Sequence, residues 1–293
     1  MPAIFEPKKS LNWMLQEFSG PDARDFLHRL TTVNLHRLGP GDGSLGFFLT
    51  AAGKIRAQFF LGCTAEEAFI FEFDAGKDGA WAKALAEAID QFTFAERQEL
   101  ASPSSRDCLW VLVEDGTLPG RELLSECLVL DRGTRDFGLH WFSVWGDPEK
   151  IALWRSSALS TAVPIDRDEL ERRRIGQVRP WVDHELTADA LPLELGLYDG
   201  VAQNKGCYPG QEVIERLITQ GAPPRRLVRF RAAADGAGAP EVAATSWSSG
   251  DGLAMVRKNL AVVGQKLSIS GRGGATVEAC SPDAPFEESP QLP

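Results

Sequence analysis

Hydrophobic and polar positions alternate along the chain at two different spacings, which predicts a mixture of helices and strands. Apolar residues three and four positions apart predict amphipathic helices at 19–30, 80–92, 147–159 and, with a break at Gly176 and Pro180, 166–180. Alternating or short continuous apolar runs predict a hairpin that turns at Gly53 and strands at 68–74, 108–113 and 139–145. Residues 181–203 have neither spacing and are predicted to be rich in loops.

After about residue 225 the pattern changes to short strand-like runs separated by glycine-rich turns, which predicts a small β-domain. A length of 293 residues also exceeds what one simple core usually holds. The predicted domains are therefore a mixed α+β body at 1–222 and a β-barrel at 223–281. The acidic, proline-rich end at 282–293 is predicted to be a disordered tail.

The composition is that of an acidic globular protein. Hydrophobic residues make up 43% and charged residues 25%, as in ordinary globular proteins. The formal net charge of −10 disfavours direct binding of nucleic acid. No apolar run approaches the roughly 20 residues that span a bilayer, and the N-terminus lacks the apolar core of a signal peptide. We therefore expect a cytoplasmic monomer without a membrane or nucleic-acid partner.

The cysteines and histidines do not predict a local metal site. There are five cysteines and four histidines. The odd number of cysteines and the absence of CxxC spacing argue against a disulfide framework and a zinc knuckle. The histidines form no HxH or HExxH pattern.

One cysteine stands in an unusual context. The run QNKGCYPGQEVIER at 203–216 places Cys207 ahead of a helix predicted to begin near 210. The unpaired N–H groups of a helix start and the neighbouring Lys205 favour a thiolate over a thiol. Gly206 and Gly210 permit positive backbone torsions and the close approach of a ligand. Cysteine is also a common small core residue, so both a working thiol and a core role stay open.

A carboxylate upstream is the second candidate. Glu194 stands between two leucines in PLELGL, and a buried carboxylate needs a donor partner. It can accept from a ligand edge with two parallel N–H donors, such as an aminopyrimidine. A loop carboxylate that caps a helix or pairs with an arginine is the alternative. After the cysteine, Gln211 and Glu212 can bond loop groups, and Glu212 can pair with Arg216 at i+4.

Together these residues resemble a known family. KGCYPGQE followed by Arg216 is similar to the signature K-G-C-(F/Y)-x-G-Q-E-x-x-x-R of folate-binding, iron–sulfur-related proteins of the YgfZ type. These belong to the superfamily of the glycine-cleavage T-protein, an aminomethyltransferase. Further segments resemble the family in the same order: GPDARDFLHRLTTVNL, FLTAAGKIRAQF, RRRIG, PLELGL, RRLVRF and GLAMVRK. Two places depart from it, because Asn34 replaces the usual aspartate and RIGQVRP is only loosely similar.

The resemblance implies an α+β fold built as a three-lobed ring: a ferredoxin-like unit, a second α+β unit and a C-terminal Greek-key β-barrel. It implies that tetrahydrofolate or a derivative binds in the central opening, with Glu194 on the pterin edge. Cys207 matches the signature cysteine and is the residue expected to act chemically. The other residues expected to bind the cofactor are Lys205, Gly206, Tyr208, Gly210, Gln211, Glu212 and Arg216.

The leading hypothesis is a tetrahydrofolate-binding accessory protein that supports assembly or repair of iron–sulfur clusters. Its expected partners are reduced folate and iron–sulfur client enzymes or cluster-assembly proteins. The thiol of Cys207 is expected to act as a nucleophile, a redox group or a transient metal contact. Two alternatives stay open: a folate-dependent aminomethyl or one-carbon transferase, and a folate-independent interaction module. The T-protein has no cysteine in this loop, which weighs against a glycine-cleavage enzyme.

Overall fold

The structure, a computed structural model, describes residues 1–221, 223–233 and 238–282. These residues form a mixed α+β fold, as predicted. The α-helices are α1 Pro7–Ser10, α2 Ala23–Leu30, α3 Ala80–Asp90, α4 Pro148–Ala158, α5 Arg167–Gly176 and α6 Gln211–Thr219. The strands are β1 Ala3–Phe5, β2 Trp13–Ser19, β3 Gly43–Leu49, β4 Ile55–Ala65, β5 Ala68–Asp74, β6 Glu99–Leu100, β7 Asp107–Val113, β8 Leu128–Asp131, β9 His140–Gly146, β10 Val163–Pro164, β11 Arg225–Ala232, β12 Glu241–Val242, β13 Ser246–Ser248, β14 Asp251–Arg257, β15 Lys266–Ile269 and β16 Gly273–Cys280.

Where the periodicity is strong, the predicted elements lie within two residues of the observed ones. Helix α3 turns Trp81, Leu85, Ala88 and Ile89 inward, which is the face that the sequence indicates. Strand β5 coincides with the predicted run at 68–74. The hairpin of β3 and β4 is also confirmed, with Gly53 at φ 74° in its turn.

The predicted helix at 19–30 is wrong at its start. Strand β2 continues to Ser19, and the helix begins only at Ala23. Gly20 follows the strand at φ 142°, and any Cβ there would collide with the backbone of Arg97. Strand β2 also lies outside the predicted set, because adjacent Leu15 and Gln16 are both buried and interrupt the alternation.

The chain folds into two compact units. The first comprises Met1–Phe26, Leu35–Ser44 and Phe59–Arg173, and the second comprises Leu27–Asn34, Leu45–Gln58 and Arg174–Pro293. The domain boundaries at 222 and 281 stay sequence-based predictions. Residues 283–293 of the predicted tail lie outside the described residues. Of the helices that the structure describes, none has both the length and the apolar character needed to cross a membrane.

The first unit contains a complete five-stranded sheet in the order β10–β1–β7–β9–β8. Ile151 and Trp154 of α4 pack on this sheet against Val111, Phe142 and Val144. A second five-stranded sheet has the order β3–β4–β5–β2–β6, and its strands β3 and β4 have residues in both units. The central strands β5, β7 and β9 are buried at almost every position, so both faces of these strands are covered.

A buried charge lies inside the first unit. Glu72 on β5 is fully buried, and its Oε1 accepts from the indole N–H groups of Trp13 at 2.7 Å and Trp145 at 2.8 Å. Ser143 donates to the same oxygen, and Arg132 donates to Oε2. The carboxylate therefore has the paired, hydrogen-bonded surroundings that burial of a charge requires.

The second unit contains a six-stranded sheet in the order β12–β15–β16–β11–β14–β13. Neighbouring strands are antiparallel except for β12 and β15. Its core is apolar and includes Val228, Phe230, Ala254, Val256, Leu267 and Val277. The predicted β-rich region after residue 225 is confirmed.

Candidate functional site

Three segments of the second unit meet around the predicted cysteine loop: residues 27–34, the β3–β4 turn at 50–54, and residues 191–216. Thr32 is fully buried and joins two of them to β3. Its hydroxyl donates to the carbonyl oxygen of Gly200 at 2.5 Å and accepts from the backbone N–H of Phe47 at 2.9 Å. The N–H of Ala202 donates to the carbonyl oxygen of Thr32 at 2.9 Å. The loop is thus bonded to residues far away in sequence.

Close packing of two glycines fixes where α6 begins. Gly210 precedes the helix at φ 83°, and a Cβ there would lie 2.5 Å from Thr50 O and 2.9 Å from Gly53 Cα. Only glycine satisfies both the left-handed backbone and this contact. The helix predicted to begin near 210 is confirmed, and its first turn lies directly against the β3–β4 turn.

Lys205 caps another helix. Its ammonium donates to the carbonyl oxygens of His28 and Thr31, at the C-terminal end of α2. The last carbonyl groups of a helix lack partners within the helix and carry partial negative charge, so a lysine there satisfies and stabilises them. The ring of Tyr208 lies 4.9 Å from the same Nζ. Lys205 therefore fastens the cysteine loop to the end of α2.

Burial lowers the pKa of Lys205 to about 7, because the ammonium loses water when it enters the protein. The two carbonyl acceptors and the Tyr208 ring favour the charged form and oppose this shift. We expect the ammonium to lose its proton far below the pH at which an exposed lysine does.

Cys207 is exposed, which excludes the core role. The other four cysteines are buried or half-buried, and all five lie in the described part of the chain. Burial raises the pKa of Cys63, Cys108 and Cys127, which disfavours thiolates at those positions. Cys207 is therefore the most accessible of the five thiols.

The backbone around Cys207 differs from the prediction at one point. Gly210 has the expected positive φ, but Gly206 does not. The left-handed residue ahead of the cysteine is Asn204, at φ 55°. Space is nevertheless open at Gly206, where the nearest atom to a built Cβ would be His28 Nε2 at 3.6 Å.

Tyr208 has a buried hydroxyl with no partner among the described residues. The side chain is only 7% exposed, and burial raises the pKa of its hydroxyl. Unpartnered buried hydroxyls are rare in folded proteins. This one is free to bond to a polar group of a ligand.

Glu194 is buried and carries a bidentate arginine. Its Oε1 accepts from Arg225 Nε at 2.9 Å and its Oε2 from Arg225 Nη2 at 2.8 Å. This is the arginine pair that sequence reasoning kept as the alternative to a ligand contact. The same geometry shows that the carboxylate accommodates a planar group with two parallel N–H donors, which is also what an aminopyrimidine edge presents.

Helix α6 carries the last three predicted residues. Gln211 and Glu212 lie in its first turn and Arg216 in its second. Glu212 and Arg216 are exposed, and neither forms an ion pair within the described part of the chain. Their roles toward a cofactor stay predictions, as do those of the other loop residues and Glu194.

Sequence reasoning missed two arginines of the second unit that pair with buried carboxylates, one of them at Glu194. Arg225 was not among the predicted site residues, because nothing in PPRRLVRF distinguishes a solvated arginine from one that reaches an acid 31 residues away. Arg174 is also buried, and it pairs with buried Glu185 at 3.0 Å and donates to Ser246 Oγ at 2.6 Å. The described residues contain no cluster of three or more metal-ligating side chains.

Comparison with solved structures identifies the fold. A crystal structure of the glycine cleavage system aminomethyltransferase T from Bartonella henselae superposes with a TM-score of 0.76. The match covers 95% of this chain and 85% of that one at 18% sequence identity. The chain has the fold of the glycine-cleavage T-protein. The predicted resemblance to the T-protein is thereby confirmed at the level of the fold.

Two curated sequences are also similar to this chain. A chloroplast protein of Arabidopsis thaliana named as a candidate transferase is 23% identical, over 86% of this chain and 65% of its own length. A mitochondrial protein of Cryptococcus neoformans is named as a homologue of the iron–sulfur cluster assembly factor IBA57. It is 26% identical, over 73% of this chain and 63% of its own length. The chain thus spans slightly under two thirds of these relatives' lengths. No protein-family model matches it.

The two glycines of the loop are expected to differ in their tolerance of a side chain. Gly210→Ala forces an alanine into a left-handed backbone and against Thr50 O, so we expect it to lower the free energy of unfolding by about 1–3 kcal/mol. Gly206→Ala meets open space and serves as the matched control, with a change within about 0.5 kcal/mol. Urea denaturation measures both, and equal losses would contradict this packing.

Lys205 is expected to make stability depend on pH. Its folded pKa of about 7 lies below its unfolded value, so between the two the unfolded chain binds more protons and stability rises with pH. We therefore expect the free energy of unfolding of the wild type, minus that of Lys205→Met, to increase from pH 7 to pH 9. It should stay flat below pH 7. A difference independent of pH would show that the carbonyls and the Tyr208 ring keep the ammonium charged.

Proposed function

We propose that this protein binds tetrahydrofolate and supports the assembly or repair of iron–sulfur clusters in client enzymes, with Cys207 as its reactive group. The three-lobed ring with a Greek-key barrel, a cytoplasmic location and a monomeric state belong to the same proposal. So do the expected partners, which are cluster-containing enzymes or cluster-assembly proteins.

The observation that carries the proposal is the exposure of Cys207 on a loop held at both sides. Lys205 fastens the loop to α2, and Gly210 packs it on the β3–β4 turn. A thiol held in this way can meet a cluster or a partner's sulfur without reorganising its surroundings. One cysteine cannot hold a cluster alone, because clusters usually take about four protein ligands. Any contact with a cluster is therefore shared with a partner or transient.

Two buried polar groups support the folate part of the proposal. Glu194 accepts a planar pair of N–H donors, and the Tyr208 hydroxyl has no partner within the described residues. We propose that Glu194 receives the pterin edge and that the cysteine loop, through Lys205 to Gly210 and the first turns of α6, forms the wall beside it. Tetrahydrofolate, when bound, supplies a carrier for one-carbon units.

The relatives support the iron–sulfur part of the proposal. One of them is named for cluster assembly, and the fold neighbour is named as an aminomethyltransferase. Neither name alone decides between the two activities. The exposed thiol favours cluster chemistry, because transfer of a methylene group to folate needs no cysteine.

The second candidate is a folate-dependent one-carbon transferase, favoured by the T-protein fold. Such a reaction needs a general base or carboxylate near the reacting nitrogen. Asn34 stands where the family has an aspartate, and an amide cannot take up the proton. Glu194, the remaining candidate, is assigned to the pterin edge. This candidate therefore ranks second, and formation of methylenetetrahydrofolate from amine donors would revive it.

Removal of the thiol tests the first candidate. In cells lacking the protein, Cys207→Ala is expected to fold normally yet fail to restore the activity of a cluster-dependent enzyme. Cys127→Ala is the control, because that cysteine is half-buried and packs against the core of the first unit. Full restoration by Cys207→Ala would reject the role of the thiol.

Calorimetry with tetrahydrofolate separates both candidates from a folate-independent interaction module. We expect the wild type to bind and Glu194→Ala to bind at least tenfold more weakly, because a buried bidentate acceptor is lost. Absence of any heat with the wild type would leave only the interaction module.

A further inference from the structure

Arg225 is hydrogen-bonded to the carboxylate of Glu194, which the proposed pterin ligand also needs. Its Nε and Nη2 donate to the two oxygens of Glu194 at 2.9 and 2.8 Å, which is the bidentate arrangement of an arginine–carboxylate pair. An aminopyrimidine offers a ring N–H and an exocyclic amine side by side, so it presents the same pair of donors. The guanidinium and such a ligand cannot occupy the two oxygens together.

We propose that Arg225 is an internal competitor for Glu194, which sets the affinity of the site by requiring that a ligand displace its guanidinium. The inference rests on the proposed function for the identity of the ligand. It goes beyond that function in assigning to a strand residue outside the cysteine loop the control of ligand affinity.

The two partners differ in their freedom to move. Glu194 is buried, and its backbone is fixed because its carbonyl oxygen accepts from the N–H of Leu227 at 3.1 Å. The side chain of Arg225 is 50% exposed. It borders an open hollow of about 760 Å³ lined also by Pro224, Arg257 and Lys258. The guanidinium can therefore leave toward solvent while the carboxylate stays in place.

A second acid lies near the released arginine. The pKa of Arg225 is raised by its hydrogen bond to Glu194 first, and also by the charge of Asp189. Asp189 is exposed and pairs with Lys54 at 2.8 Å. A guanidinium displaced from Glu194 thus remains charged and has an anionic neighbour, which limits the free energy needed to move it.

A purely structural role makes a different prediction. If the pair only tied β11 to the loop at 194, its loss would weaken ligand binding or leave it unchanged. The strand already has another tie to this loop, through the N–H of Leu227 and the carbonyl oxygen of Glu194. Competition instead predicts that loss of the arginine tightens binding.

Calorimetry with tetrahydrofolate on four full-length proteins tests the inference: wild type, Arg225→Met, Arg225→Lys and Arg257→Met. Arg257 lies directly opposite Arg225 on β14 and borders the same hollow, so its variant removes the same charge without touching Glu194. If Arg225 blocks the site for nine tenths of the time, Arg225→Met binds about tenfold more tightly than wild type. Arg225→Lys, which cannot form the fork, is expected to lie between them. Arg257→Met should bind no more tightly than wild type.

The outcomes separate failure of the inference from failure of the function. Suppose that the wild type binds tetrahydrofolate and that neither Arg225→Met nor Arg225→Lys binds it more tightly than the wild type. The competition is then overturned, and the proposed folate site is retained. If only the Arg225 variants bind, the competition is supported, but the wild type does not bind tetrahydrofolate and the proposed function is overturned. If none of the four proteins binds, both are overturned. Should Arg225→Met fail to fold because Glu194 is left buried and unpaired, Arg225→Lys, which keeps the charge, carries the test.

Discussion

Donation from Lys205 Nζ to the carbonyl oxygens at the end of α2 is the contact on which the site depends. It connects the loop that carries Cys207 to a helix almost two hundred residues earlier in the chain, since the two bonds span 177 and 174 positions. The lysine of the motif thus has a structural partner inside the protein. Because Lys205 lies two residues before Cys207, its bonds to α2 hold the loop close to the thiol.

Packing of Gly210 holds the cysteine loop on the side opposite to Lys205. On the other side of the thiol, Gly210 packs so closely on Thr50 and Gly53 that a Cβ has no room between them. Between these two fixed points only Gly206 and Cys207 are exposed. A rigid frame around a short accessible segment is what a reactive thiol needs, because accessibility and a fixed position are otherwise in conflict.

The proposed competition between Arg225 and a ligand for Glu194 adds a second level of control. A buried carboxylate suited to a planar donor pair is stable in the ligand-free protein only with a substitute donor, and Arg225 provides one. In the proposed folate site, stability without ligand and affinity for ligand are therefore opposed at this residue. The buried Glu72 in the first unit has no such conflict, since indoles, a hydroxyl and Arg132 surround it within the protein.

Much of the fold could be predicted from the sequence because periodicity is local. Helix α3 and strand β5 have uninterrupted patterns, whereas β2 loses its alternation at Leu15 and Gln16 and was missed. Cys207 and Gly210 were found because their motif is contiguous. The partners of Lys205 and Glu194 could not be found, since which carbonyl oxygen or arginine lies nearby is decided by tertiary packing. Exposure of the Cys207 thiol is likewise decided by tertiary packing and could not be predicted from the sequence.

The most direct test of this account is brief alkylation of the native protein with iodoacetamide, followed by peptide mapping. An exposed thiol on a fixed loop predicts that a single adduct forms first, on the peptide that contains Cys207. The peptides of Cys63, Cys108, Cys127 and Cys280 should react only after unfolding. A native protein in which Cys207 stays unmodified while Cys127 or Cys280 reacts would contradict the account at its centre.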